Sequence, residues 1–130
     1  MVKFDKCFDR ESVNAIKRSV DLALLEIEKL AGRKIAFPQN ISCMSESEVS
    51  RGRRIRGLGH EEGAGHGMLS CDGKCIVKVN RDMSAYNILA NVVHENIHFA
   101  FPEKGEVETD SLTEFVLEKL KKRRNRSVES

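Results

Sequence analysis

Val13, Ile16, Val20, Leu24, Ile27 and Ala31 step along the chain by threes and fours. That spacing predicts an amphipathic helix over residues 10–31, with Gly32 as its C-cap and Leu22, Ala23, Leu25 and Leu30 widening the apolar face. Lys34 to Phe37 and Asn40 to Met44 read as strand, interrupted by Pro38 at an edge, a bulge or between two short strands. Residues 45–66 have little periodicity and predict a long loop. Gly67 to Cys71 and Lys74 to Asn80 flank Asp72-Gly73, a hairpin signal, because Asp-Gly supplies the positive φ that a tight turn requires. Ile88, Leu89, Val92, Val93, Ile97 and Ala100 mark a second helix, capped by Ser84 and stopped near Pro102. Gly105 suits a turn into a third helix from Glu106 to about Arg123, with Leu112, Phe115, Val116 and Leu120 as its apolar face. Helix, strands, hairpin, helix and helix in that order predict an α+β fold with a small antiparallel sheet backed by helices.

With 130 residues, 40% of them apolar, the chain forms one domain with a real core, and the basic tail from about 121 to 130 frays. A formal net charge of only +2 provides no global field toward nucleic acid. No apolar run reaches membrane-spanning length, and residues 1–7 lack the apolar core of a signal peptide, so cytoplasmic residence is expected.

Composition leaves the chemistry open; His94-Glu95-Asn96-Ile97-His98 narrows it. On a helix the two imidazoles lie one turn apart on one face and can share a metal ion. Glu95, beside the first of them, is placed to take a proton from water. A catalytic zinc commonly takes three protein ligands, and carboxylates follow at once in Glu103-Lys104-Gly105-Glu106-Val107-Glu108-Thr109-Asp110. Glu106 and Asp110 are one turn apart, so one can bind metal while the other accepts a hydrogen bond from a ligating imidazole. Acidic residues are also favoured at a helix N-terminus for electrostatic reasons alone.

His-Glu-x-x-His followed by Glu-x-x-x-Asp on the next helix resembles the gluzincin class of zinc metallopeptidases. The specific match covers residues 84–120. The resemblance implies a minimal zincin-like domain, one zinc ion held by His94, His98 and Glu106, Glu95 as general base, and Asp110 as the partner of a ligand histidine. Glu108, nearer the Leu112/Phe115 face on a helical wheel, is the alternative third ligand; Asp110, His60 and His66 are further candidates.

The expected function is zinc-dependent hydrolysis of a protein or peptide substrate. The substrate would pair with a sheet edge at residues 67–71 or 75–80. His60, His66 and Tyr86 are the candidates for stabilising the oxyanion, the two histidines on a glycine-rich lid. Hydrolysis of a non-peptide substrate, or zinc binding without turnover, is the alternative. A basic module contacting nucleic acid or protein, through Arg51 to Arg56 or Lys119 to Arg126, is the third and less favoured. Cys7, Cys43, Cys71 and Cys75 lack the paired spacing of a structural zinc site and are expected as free thiols; Cys7–Cys43 or Cys71–Cys75 disulfides would fit a thermophile.

Overall fold

Helix α1 (Arg10–Ala31) forms where the apolar period predicts it. Its ends are set locally: the Asp9 carboxylate accepts from the Ser12 amide, and Gly32 adopts φ 70° and donates to the carbonyls of Glu28 and Lys29. The computed structural model describes residues 2–55 and 66–129. In chain order they form β1 (Lys3–Phe4), α1, β2 (Asn40–Cys43), α2 (Glu46–Ile55), β3 (Gly67–Asp72), β4 (Lys74–Val79), α3 (Ala85–Ala100) and α4 (Glu106–Glu129). The fold is α+β, and among the described residues no helix is long and apolar enough to cross a membrane.

The sheet is mixed, which corrects the antiparallel expectation. Strand order is β1-β2-β4-β3. β1 and β2 pair in parallel, as do β2 and β4, and only the β3–β4 hairpin is antiparallel. The reason is α1: a long helix between β1 and β2 returns the chain to the same end of the sheet, so the second strand runs with the first. β3 is an edge strand and β4 a central one. That removes residues 75–80 as a docking edge.

Local hydrogen bonding explains two further departures. Lys34 to Phe37 stays outside the sheet, because the Ile35 amide donates to Glu28 Oε2 at 2.8 Å and the Gln39 side chain occupies the Phe37 carbonyl. The expected loop after residue 45 begins instead as α2. Ser45 Oγ accepts from the Glu48 amide at 3.1 Å while Glu48 Oε1 accepts from the Ser45 amide at 2.9 Å. This reciprocal cap, Ser-x-x-Glu, was present in the sequence as a helix-start signal and outweighs the weak periodicity that follows. Lys78 of β4 then pairs with Glu48 Oε2 at 3.0 Å and ties α2 to the sheet.

The core joins Ile16, Val20, Ala23 and Ile27 of α1 to Ile41 of β2, Val77 and Val79 of β4, and the whole expected apolar stripe of α3. Leu25 and Leu30 of α1 face solvent, whereas Glu26 is buried. Glu26 is stabilised there by Arg123 of α4 at 2.8 Å and by Lys29 at 3.4 Å.

Helix α4 continues to Glu129, past the expected end near Arg123. Of the expected apolar face, Val116 is buried and Leu112 and Leu120 pack against the core, while Phe115 turns out to solvent. Thr109, Thr113 and Val116 point inward, and Phe115 is 46% exposed. The threonine hydroxyls donate to carbonyls one turn back, Thr109 to Gly105 at 2.9 Å and Thr113 to Thr109 at 2.7 Å, so their burial leaves no donor unpaired.

All four cysteines are paired, which corrects the expectation of free thiols. Cys7–Cys43 joins the segment before α1 to the end of β2, and Cys71–Cys75 spans the β3–β4 hairpin.

Candidate metal centre

The site is built from the last two turns of α3 and the first two of α4. Ser84 starts α3 by accepting from the Asn87 amide. Burial of Ile88, Leu89, Val92, Val93 and Ile97 then sets the rotation of the helix. With that stripe inward, His94 and His98 share a flank that meets α4. Their Nε2 atoms are 3.1 Å apart.

The third group comes from α4. Its inward face runs through Thr109, Thr113 and Val116, so Glu106, one turn before Thr109, is carried to the imidazoles. Glu106 Oε1 lies 2.9 Å from His98 Nε2, and Oε2 lies 3.3 Å from His94 Nε2. The three candidate ligand atoms all lie within 4.8 Å of one another. Zinc–ligand bonds of about 2.0–2.1 Å in a tetrahedron give ligand–ligand edges of about 3.3 Å. The two imidazole nitrogens are 3.1 Å apart, and each has one of the two Glu106 oxygens at 2.9 or 3.3 Å.

Asp110 stands behind His94, with Oδ1 3.2 Å from Nδ1. A carboxylate there holds the proton on Nδ1 and leaves the Nε2 lone pair directed at the other two groups. Glu108 is not among the converging groups; it reaches Lys104 Nζ at 3.3 Å. Of the Leu112/Phe115 face that favoured it, Leu112 packs against the core and Phe115 faces out.

Glu95 projects from a neighbouring face of α3 toward the start of β3 and is only 5% exposed. A methyl group on Gly67 would lie 3.1 Å from Glu95 Oε2 and 3.3 Å from Asn91 Oδ1. The absence of a side chain at Gly67 therefore admits this carboxylate against the edge strand. Asn91 has a signal in the sequence: it stands one turn before Glu95 and three residues before His94. Gly67 could not have been found that way, since its role depends on β3 lying beside α3.

The remaining candidates divide. His66 is held at the base of the hairpin, where its carbonyl accepts from the Asn80 amide at 2.8 Å and its Nδ1 lies 3.4 Å from Asn80 Nδ2; the glycine-rich segment before it, expected as a lid, lies outside the described residues. His60 lies outside the described residues. Tyr86 is exposed in the first turn of α3. Comparison with protein-family models, curated proteins and solved structures gave no match, so the site is read from its own geometry.

Proposed function

We propose that this protein is a zinc-dependent metallopeptidase of minimal gluzincin type. One observation carries the reading: His94, His98 and Glu106, from two helices, bring one ligand atom each within 4.8 Å of one another. Two imidazoles and a carboxylate are a donor set suited to zinc, and three protein ligands leave room for a fourth. Zinc in such a set supplies Lewis acidity toward water and a carbonyl.

The chain's own residues account for the rest of the chemistry. Asp110 orients His94. Glu95 takes the proton of the attacking water and passes it to the leaving amine. Its near-complete burial against Gly67 holds the carboxylate in one place. An extended peptide laid along β3 would continue the sheet and pass this carboxylate. Protein or peptide is accordingly the proposed partner, with zinc as the single cofactor.

Cytoplasmic residence belongs to the same proposal. It requires that two disulfides persist there, as they do inside thermophiles; an oxidising compartment is the setting they otherwise favour.

The test pairs zinc analysis with peptide cleavage. Glu95→Gln retains zinc and loses turnover by on the order of 10²–10⁴-fold. Glu106→Ala loses zinc, whereas Glu108→Ala retains it. Zinc uptake without cleavage of any peptide would leave a metal-binding protein and refute the peptidase reading. Failure to take up zinc would refute the centre itself.

A further inference from the structure

We propose that the Cys71–Cys75 pair is a thiol–disulfide exchange site, open to dithiols while the fold stays intact, and that Cys7–Cys43 is structural. The inference is independent of the metal reading and holds whether or not zinc is bound.

The two pairs differ in surroundings. Cys7 and Cys43 are half-buried and pack against the hydrophobic core, with neither exposed. Cys71, Asp72, Gly73 and Lys74 are all exposed at the hairpin tip, with Cys75 half-buried. Exchange needs a thiolate to reach one sulfur of the bond, so access separates the pairs.

They differ also in what they restrain. Cys7–Cys43 links residues 36 apart in sequence and ties the start of α1 to the end of β2. Cys71 and Cys75 are only four apart and directly opposed in the ladder, with Cα atoms at 4.0 Å. Gly73, at φ 77°, already makes the turn between them. The ladder from Gly67–Val79 through Ser70–Ile76 continues below them, anchored by Val77 and Val79 in the core. Closure entropy grows with loop length, so the short hairpin loop gains least from its cross-link. Opening it removes a covalent restraint from the far end of the edge strand and leaves the Gly67 end in place.

The reaction balances with a dithiol as reductant. One thiolate of the dithiol attacks Cys71 Sγ; the bond to Cys75 breaks, and Cys75 leaves as a thiolate that takes up a proton. The second thiol of the reductant then attacks its own sulfur in the mixed disulfide and releases Cys71. Two electrons pass: the protein disulfide becomes two thiols, and the dithiol becomes a disulfide.

The experiment treats the oxidised, metal-free full chain with dithiothreitol under native conditions, traps thiols with iodoacetamide and maps the labelled peptides over time. Cys71 and Cys75 are expected to label at least about tenfold faster than Cys7 and Cys43, with unchanged far-ultraviolet circular dichroism. A Cys71→Ser/Cys75→Ser variant is expected to lose only the fast labelling. A smaller rate ratio, loss of helical signal during the fast labelling, or four free thiols before any reductant is added would each overturn the proposal.

Discussion

Gly67→Ala tests the placement of Glu95 without touching any proposed metal ligand. The added methyl would lie 3.1 Å from Glu95 Oε2 and 3.3 Å from Asn91 Oδ1, inside ordinary carbon–oxygen contact. Gly67 cannot readily retreat, because it pairs with Val79, a fully buried residue of the central strand β4. The carboxylate must therefore yield by a few tenths of an ångström or rotate away. Displacements up to about 1 Å at a reacting group cost up to about 10²-fold in rate. We expect kcat/KM for a peptide substrate to fall about 10–100-fold, equivalent to about 1.4–2.7 kcal/mol of transition-state stabilisation. Zinc stoichiometry is expected to stay unchanged, since His94, His98 and Glu106 lie outside the new contact. Global stability should change by less than about 1 kcal/mol, because loss of glycine's freedom in the unfolded chain offsets part of the crowding. Metal analysis, thermal melts and initial rates on the same preparation measure all three. A folded, zinc-loaded Gly67→Ala protein with wild-type kcat/KM would refute the claim that Glu95 works from its position against β3.

Other expectations follow from contacts elsewhere. Asp110→Ala frees the His94 ring and should weaken zinc binding about 10–100-fold by competition with a chelating dye, with the fold intact; unchanged affinity would remove Asp110 from the centre. The Glu48 carboxyl is held below its ordinary value chiefly by the Ser45 amide, with Lys78 adding to this and burial opposing it. A lowered folded-state pKa means that its stabilisation is present above the ordinary carboxyl range and lost as pH falls through the lowered value. Glu48→Gln should accordingly flatten the acid side of the stability–pH curve, and urea melts in which both proteins lose stability in parallel below about pH 4.5 would contradict this. Arg123→Ala leaves the buried Glu26 with Lys29 as its cation among the described residues. A loss of about 1–2 kcal/mol is expected, or roughly 4–10 °C in Tm, and an unchanged melting temperature would show that the α1–α4 contact is idle.

The sequence by itself determined the features whose causes are local. Helix α1 with its Gly32 cap, helix α3 with its Ser84 cap and buried stripe, and the hairpin at Asp72-Gly73 follow from side-chain spacing and from backbone angles that glycine tolerates. The proximity of His94 and His98 belongs here too, because four residues on a helix bring two side chains to one face wherever the helix packs. Helix α2 is equally legible through the reciprocal cap of Ser45 and Glu48, which outweighs the weak periodicity after it. Only the tertiary structure decided the rest. Strand order, the parallel pairing around α1 and the cysteine partners depend on where distant segments meet. That Glu106 rather than Glu108 lies beside the two imidazoles turns on the rotation of α4, which buries Thr109 and Thr113 and leaves Phe115 outside. The seating of Glu95 depends on a glycine that lies far away in sequence and becomes its neighbour only when β3 packs beside α3. A helix carries its own period, but its rotation about its axis is chosen by what it packs against.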